Sequence, residues 1–173
     1  MKLTSVLVTA LLALLLQVTL ARYTVGGRVV FDVVLVGVVF AALQWGPVAG
    51  ILAGTVSGLL QDVLAGEVVG VGGLAKTIIG FAAGVVGTQF VLARPQARML
   101  IVAVGTVVHR LLIVSVHALI EQHWPGVPWR ALLIETVINA VVALVAFQLV
   151  TGLPGMFSRQ RQGRRSGLSR RQW

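Results

Sequence analysis

The chain alternates long apolar stretches with short polar or glycine-rich breaks, and none of it shows the two-residue alternation of a half-buried or barrel strand. Apolar runs cover residues 3–20, 29–44, 47–64, 74–92, 99–122 and 130–150. Most approach the roughly 20 residues that a helix needs to cross a bilayer. The breaks between them carry turn chemistry: Gly26-Gly27, Trp45-Gly46-Pro47, Gly66 to Gly73, Arg94-Pro95, the Trp124-Pro125-Gly126-Val127-Pro128-Trp129 turn, and finally Gly152, Pro154 and Gly155. The pattern predicts an all-α, polytopic membrane protein of about six transmembrane helices in residues 1–155, followed by a polar tail over 156–173. The second and third runs are short. A single helix over 29–64 would carry Gly46-Pro47 at its middle, so two helices are expected there. The first run is longer than the apolar core of a secretory signal, and Thr19-Leu20-Ala21 is a weak cleavage site, so an uncleaved first helix is expected.

Composition sharpens this picture. Of 173 residues, 57% are hydrophobic and 11% charged, which excludes an ordinary soluble domain. The absence of cysteine excludes disulfides, thiolate nucleophiles and cysteine metal sites. The net charge of +9 is concentrated in the tail, where Arg159, Arg161, Arg164, Arg165, Arg170 and Arg171 fall within the last fifteen residues. Such a cluster beside a membrane domain suits anionic lipid, a topology anchor or an acidic cytoplasmic protein, and nucleic acid is not expected. With six spans and both termini inside, Lys2, Arg94, Arg98 and the six tail arginines oppose Arg22, Arg28 and Arg130, nine against three. A five-span arrangement with the N-terminus outside satisfies the same rule at ten against two, and the length of residues 29–64 favours six. Both arrangements put the tail in the cytoplasm.

The glycines are ordered. Gly46, Gly50, Gly54 and Gly58 recur every four residues, and Gln61-Asp62 ends the series. On a helix such a row is one strip of bare backbone, the kind of face on which helices associate in lipid. The fourth run carries Lys76, Gly80 and Gly84 at the same spacing. Facing rows on antiparallel neighbours would bring Asp62 and Lys76 to similar depth, and an ion pair between them is expected. That pair either clamps the hairpin or marks an end that meets a partner or ligand.

Polar residues on the last two helices form a second group. Arg110, His117 and Glu121 share one stripe, His109 lies about 100° away, and Glu135 and Asn139 share a face of the sixth helix. Arg110 or His117 is expected to meet Glu135 or Asn139 in an interior network, or along a substrate or proton path. Asp32 is placed to cap the second helix. His117, Glu121 and His123 lack the dense spacing of a metal site. Ser57 and Ser115 sit in no nucleophile elbow, and no Walker A sequence occurs. No catalytic residue, metal or cofactor is expected.

The stretch Gly46-Pro47-Val48-Ala49-Gly50, then Gly58-Leu59-Leu60-Gln61-Asp62-Val63-Leu64, then Gly72-Gly73-Leu74-Ala75-Lys76-Thr77 with Gly80-Phe81-Ala82-Ala83-Gly84, resembles the rod shape-determining protein MreD family. The resemblance covers mainly residues 30–90. Family members often start the second helix with Pro-Asp, where this chain has Phe31-Asp32, and the long arginine tail is no part of the motif. The resemblance implies a non-enzymatic component of the bacterial inner membrane that serves cell elongation. Its implied partners are the bitopic protein MreC and, through it, MreB, RodA and a penicillin-binding transpeptidase. It also implies a fold similar to the substrate-binding components of energy-coupling-factor transporters. On that basis the glycine-lined faces are expected to dock a partner's transmembrane helix. The alternative is a small-molecule-binding component of a vitamin-type transporter, with Arg110, His117, Glu135 and Asn139 as pocket candidates.

Overall fold

The computed structural model describes residues 3–21, 31–89, 95–124 and 126–152. Lys2, Arg22, Arg28, Arg94 and the six tail arginines lie outside the described residues. Among these residues six helices follow in chain order: α1 (Leu3–Ala21), α2 (Val33–Trp45), α3 (Pro47–Ala65), α4 (Val71–Gln89), α5 (Pro95–Glu121) and α6 (Trp129–Gly152). Five of them, all but α2, are long and apolar enough to cross a membrane. They leave large apolar side chains such as Leu12, Val63, Leu100, Leu133 and Leu149 exposed, which only lipid accommodates along whole helices.

Three boundaries differ from those the apolar runs predict. α2 begins at Val33 rather than 29, because Asp32 caps it by accepting a hydrogen bond from Leu35 N at 2.9 Å. α4 begins at Val71 rather than 74, so Gly72 and Gly73, which the sequence places in a break, form its first turn. The turn itself bends at Gly66 and Gly70, whose positive φ values of 68° and 104° favour glycine. α5 begins at Pro95 rather than 99, with proline at the first helical position, where its missing N–H costs nothing.

α2 is the axis of the bundle. Its 13 residues reach only about 20 Å, and they are hydrophobic on every side. Val34, Val38 and Ala41 pack with Val6, Ala10 and Leu14 of α1 and with Ala49 and Ala53 of α3. Leu35, Val39 and Ala42 pack with Ile79 and Ala83 of α4, Val102 of α5, and Ala143 and Phe147 of α6. A helix starting this deep exposes N–H groups where no bulk water can meet them. The protein supplies side chains instead. Gln17 of α1 accepts from Val33 N at 2.7 Å and donates to Phe31 O at 3.0 Å, and Asn139 of α6 accepts from Asp32 N at 2.9 Å.

Candidate functional site

Two features stand out: a glycine seam between α3 and α4, and a polar cavity at the end of the bundle that holds the α3–α4 turn. The glycine rows close on each other. Gly50 faces Gly80, and Gly84 faces Gly46 and Pro47. A methyl group on Gly54 would lie 2.5 Å from the Lys76 carbonyl oxygen, and one on Gly58 would lie 2.6 Å from the Gly73 Cα. The helices thus meet backbone to backbone, and a hydrogen bond of 2.8 Å between the Thr55 and Thr77 hydroxyls ties them further. This geometry corrects the expectation that the glycine-lined faces dock a partner. Gly50, Gly54 and Gly58 are buried under α4, so a partner's helix cannot reach them.

The seam also fixes register, and register overturns the expected Asp62–Lys76 ion pair. Lys76 lies across from Gly54, and Asp62 lies across from Gly72, so the two charges are separated along the hairpin. Asp62 turns to the start of α4, where one carboxylate oxygen accepts from Gly70 N at 2.8 Å and from Gly73 N at 3.1 Å. Its charge is unfavourable for the end of its own helix but favourable for the N-terminus of the next one. Lys76 pairs with Asp32 instead. Its ammonium donates to Asp32 Oδ2 at 2.8 Å and to His109 Nε2 at 3.0 Å, with Lys76 2% exposed and the Asp32 side chain 8% exposed. A buried ammonium needs an opposite charge and further hydrogen bonds, and both are present. Asp32 therefore does more than cap α2: it holds α4 against it.

The last two helices supply the rest of the network. Arg110 donates from Nε and Nη2 to Glu135 Oε2, at 3.1 Å and 2.5 Å. Asn139 donates to Thr106 Oγ1 at 3.2 Å while holding the Asp32 amide, so it links α5, α6 and the start of α2. His117 meets neither Glu135 nor Asn139; its Nδ1 donates to Ile113 O at 2.9 Å on its own helix. Glu121 and His123 are exposed.

Between these groups lies a cavity of about 300 Å³. Its floor is Asp32, Lys76 and His109; Arg110 and Glu135 form one wall, and Gln61, Asp62 and Glu67 of the α3 end and turn form another. Gln61 Oε1 is buried without a hydrogen-bond partner. The seam glycines and the α5–α6 polar residues, which look separate along the chain, thus converge through Lys76 and His109. Sequence reasoning missed Gln17 and Thr106. Gln17 carried a usable signal, being the one side-chain amide within α1; Thr106 carried none, since threonines are common on helices in lipid.

No curated protein and no solved structure matches the chain. The sequence model of the family described as rod shape-determining protein MreD matches residues 1–153, which takes in all six helices. The chain belongs to the rod shape-determining protein MreD family.

Proposed function

We propose that the protein is a non-enzymatic membrane scaffold of the bacterial cell-elongation machinery, holding a partner's transmembrane helix against the outer side of the α3–α4 hairpin. Family membership carries the coarser part: a multi-pass membrane protein with a role in rod shape determination, alongside MreB and MreC. The finer part is supported by the seam. Two helices locked backbone to backbone cannot slide, so the side chains on their far faces keep fixed positions. Those faces carry exposed Val48 and Val63 on α3 and Leu74, Ile78 and Phe81 on α4. Helical phase gathers each group into one stripe. An MreC-like bitopic protein is the direct partner in this reading, and MreB, RodA and a penicillin-binding transpeptidase are reached through it. The protein sits in the bacterial inner membrane with its C-terminus in the cytoplasm, where the tail arginines meet anionic lipid.

The test is copurification of the full chain with the MreC-like partner from mild detergent. Val63→Trp with Phe81→Trp should abolish it while leaving the thermal unfolding midpoint of the protein unchanged, since both side chains are exposed. Retention of the partner by that well-folded variant rules the surface out. A second reading, the small-molecule-binding component, draws on the polar cavity; a soluble compound carried through purification in stoichiometric amount would favour it.

A further inference from the structure

α5 packs on α4 less closely than α3 does. Between α4 and α5 runs a groove of about 270 Å³, lined only by aliphatic side chains and Gly105. Ile78, Ala82 and Val86 form one rim and Leu100, Val104 and Val108 the other, each set four residues apart on its helix. Ile79, Ala83 and Gly105 are buried at the floor. From Ile78 to Val86, or from Leu100 to Val108, a helix rises about 12 Å, which fits within the roughly 15 Å of hydrocarbon in one leaflet. The groove stops inside the bundle, where the Lys76 ammonium meets His109 Nε2 at 3.0 Å and ties α4 to α5. Its other end lies near the end of α4 and the start of α5.

The two ends of the bundle differ in charge. All five carboxylates of the chain, Asp32, Asp62, Glu67, Glu121 and Glu135, lie in the half that holds the α3–α4 turn. At the opposite end the Arg98 guanidinium of α5 lies 5.3 Å from the centre of the Phe147 ring of α6, so the start of α5 and the end of α6 sit together. Arg94 precedes α5 in the sequence and the six tail arginines follow α6, with no carboxylate among them. We propose that the groove holds one acyl chain of an anionic phospholipid, with the headgroup at this cationic end. A slot that is closed at mid-depth and no longer than one leaflet suits a hydrocarbon chain. A partner's transmembrane helix crosses both leaflets and would find no groove along half its length. Left empty, the lining forfeits dispersion contacts that a flexible chain restores. The charge at the open end selects an anionic headgroup over a zwitterionic one. The groove fixes that lipid at one place on the bundle, which the diffuse attraction of the tail arginines does not do. Ile78 borders both the groove and the surface proposed for a partner's helix. The inference does not rest on that surface, and the variants that test it, at Ala82 and Gly105, lie outside it.

The experiment places the full chain in nanodiscs of phosphatidylglycerol and phosphatidylcholine in equal parts. In one preparation the phosphatidylglycerol carries a photoreactive diazirine in its acyl chain, and in the other the phosphatidylcholine does. After illumination, mass spectrometry maps the labelled residues. Phosphatidylglycerol should label the groove several times more strongly than Val145 and Leu149, which are exposed on α6 at the same end of the bundle and closer to the tail. Phosphatidylcholine should show no such excess. Gly105→Leu, which fills the floor, should remove the excess. Ala82→Phe should do the same from an exposed rim position, and keeps the test valid if the floor variant folds poorly. Thermal unfolding midpoints identify the folded variants. Equal labelling of the groove and of α6 means that bulk lipid or the tail alone gathers the probe, and overturns the proposal. So does an equal excess from both lipids, or an excess that persists in folded Ala82→Phe. A photo-crosslinker at position 104 that captures a second copy or another protein in native membranes, in place of lipid, also overturns it.

Discussion

The α3–α4 hairpin and the α5–α6 pair hold helices together in lipid by different means. In the hairpin, glycine removes the side chains and the backbones touch, so shape alone sets the register. In the α5–α6 pair, side chains do the joining, through Arg110 to Glu135 and Asn139 to Thr106. The hairpin leaves no slack in volume. Where the two regions meet there is more: an apolar cavity of about 270 Å³ between α4 and α5, lined in part by Ile79, Val104 and Gly105, shows that α5 does not close on α4 as α3 does. The hairpin should therefore be sensitive to added atoms, and the polar network to removed charges.

Adding one methyl group breaks or preserves that contrast most sharply. Gly54→Ala puts its Cβ 2.5 Å from a backbone oxygen of α4, so the helices must part along the seam. The expected cost is about 3 kcal/mol or more, at or beyond the upper range for overpacking, because backbone cannot rotate away. Gly105→Ala on α5 meets only the Ile79 Cγ2 at 3.1 Å, a side-chain methyl beside a cavity. Helix propensity gained there offsets the contact, and the net change should stay within about 1 kcal/mol. Thermal unfolding in detergent reads both, and equal effects would sink the distinction.

Removing a charge at the junction of the two regions comes next. Lys76→Met leaves the Asp32 carboxylate buried and unpaired, at about 3 kcal/mol or somewhat more. Adding Asp32→Asn should recover most of that loss, since asparagine still caps α2. Exchanging charges between positions 62 and 76 should recover nothing, because those residues do not meet. Rescue by the exchange, with no rescue by Asp32→Asn, would contradict the network.

How legible this was in the sequence depends on the kind of interaction. Six helices follow from apolar run length and from Gly-Pro breaks, both local properties. The glycine rows follow from four-residue spacing. The partner of Lys76 does not, because it depends on the length of the α3–α4 turn. Reading Gly72-Gly73 as a break shortened α4 by three residues and hid the fact that Asp62 faces the start of α4. Asp32 looked like a cap, which it is; that it also holds Lys76 follows from α2 lying at the centre of the bundle, a property of no single segment.

Asp62 tests the turn by itself. Asp62→Ala removes the acceptor for Gly70 N and Gly73 N but leaves the glycine seam in place. The expected loss is about 1 kcal/mol, that of a helix cap. It should be local: hydrogen exchange should quicken at Gly70 and Gly73 and stay unchanged at Gly80. Faster exchange along the whole of α4 would mean that the carboxylate, rather than the seam, holds the hairpin.

The smallest effect belongs to Glu135→Gln, and its size is set by burial. The Arg110 side chain is 32% exposed and opens on the cavity, so losing its counter-charge returns the guanidinium to a polar space rather than stranding it in apolar surroundings. Glutamine keeps an oxygen that can accept from the same N–H groups. The cost should stay below about 1 kcal/mol, in the range of partly exposed pairs. Lys76→Met breaks the same kind of contact where the side chain is 2% exposed, and should cost several times more. If the two substitutions destabilise equally in thermal unfolding, the cavity is as dry as the bundle axis, and the difference between its open wall and its closed floor disappears.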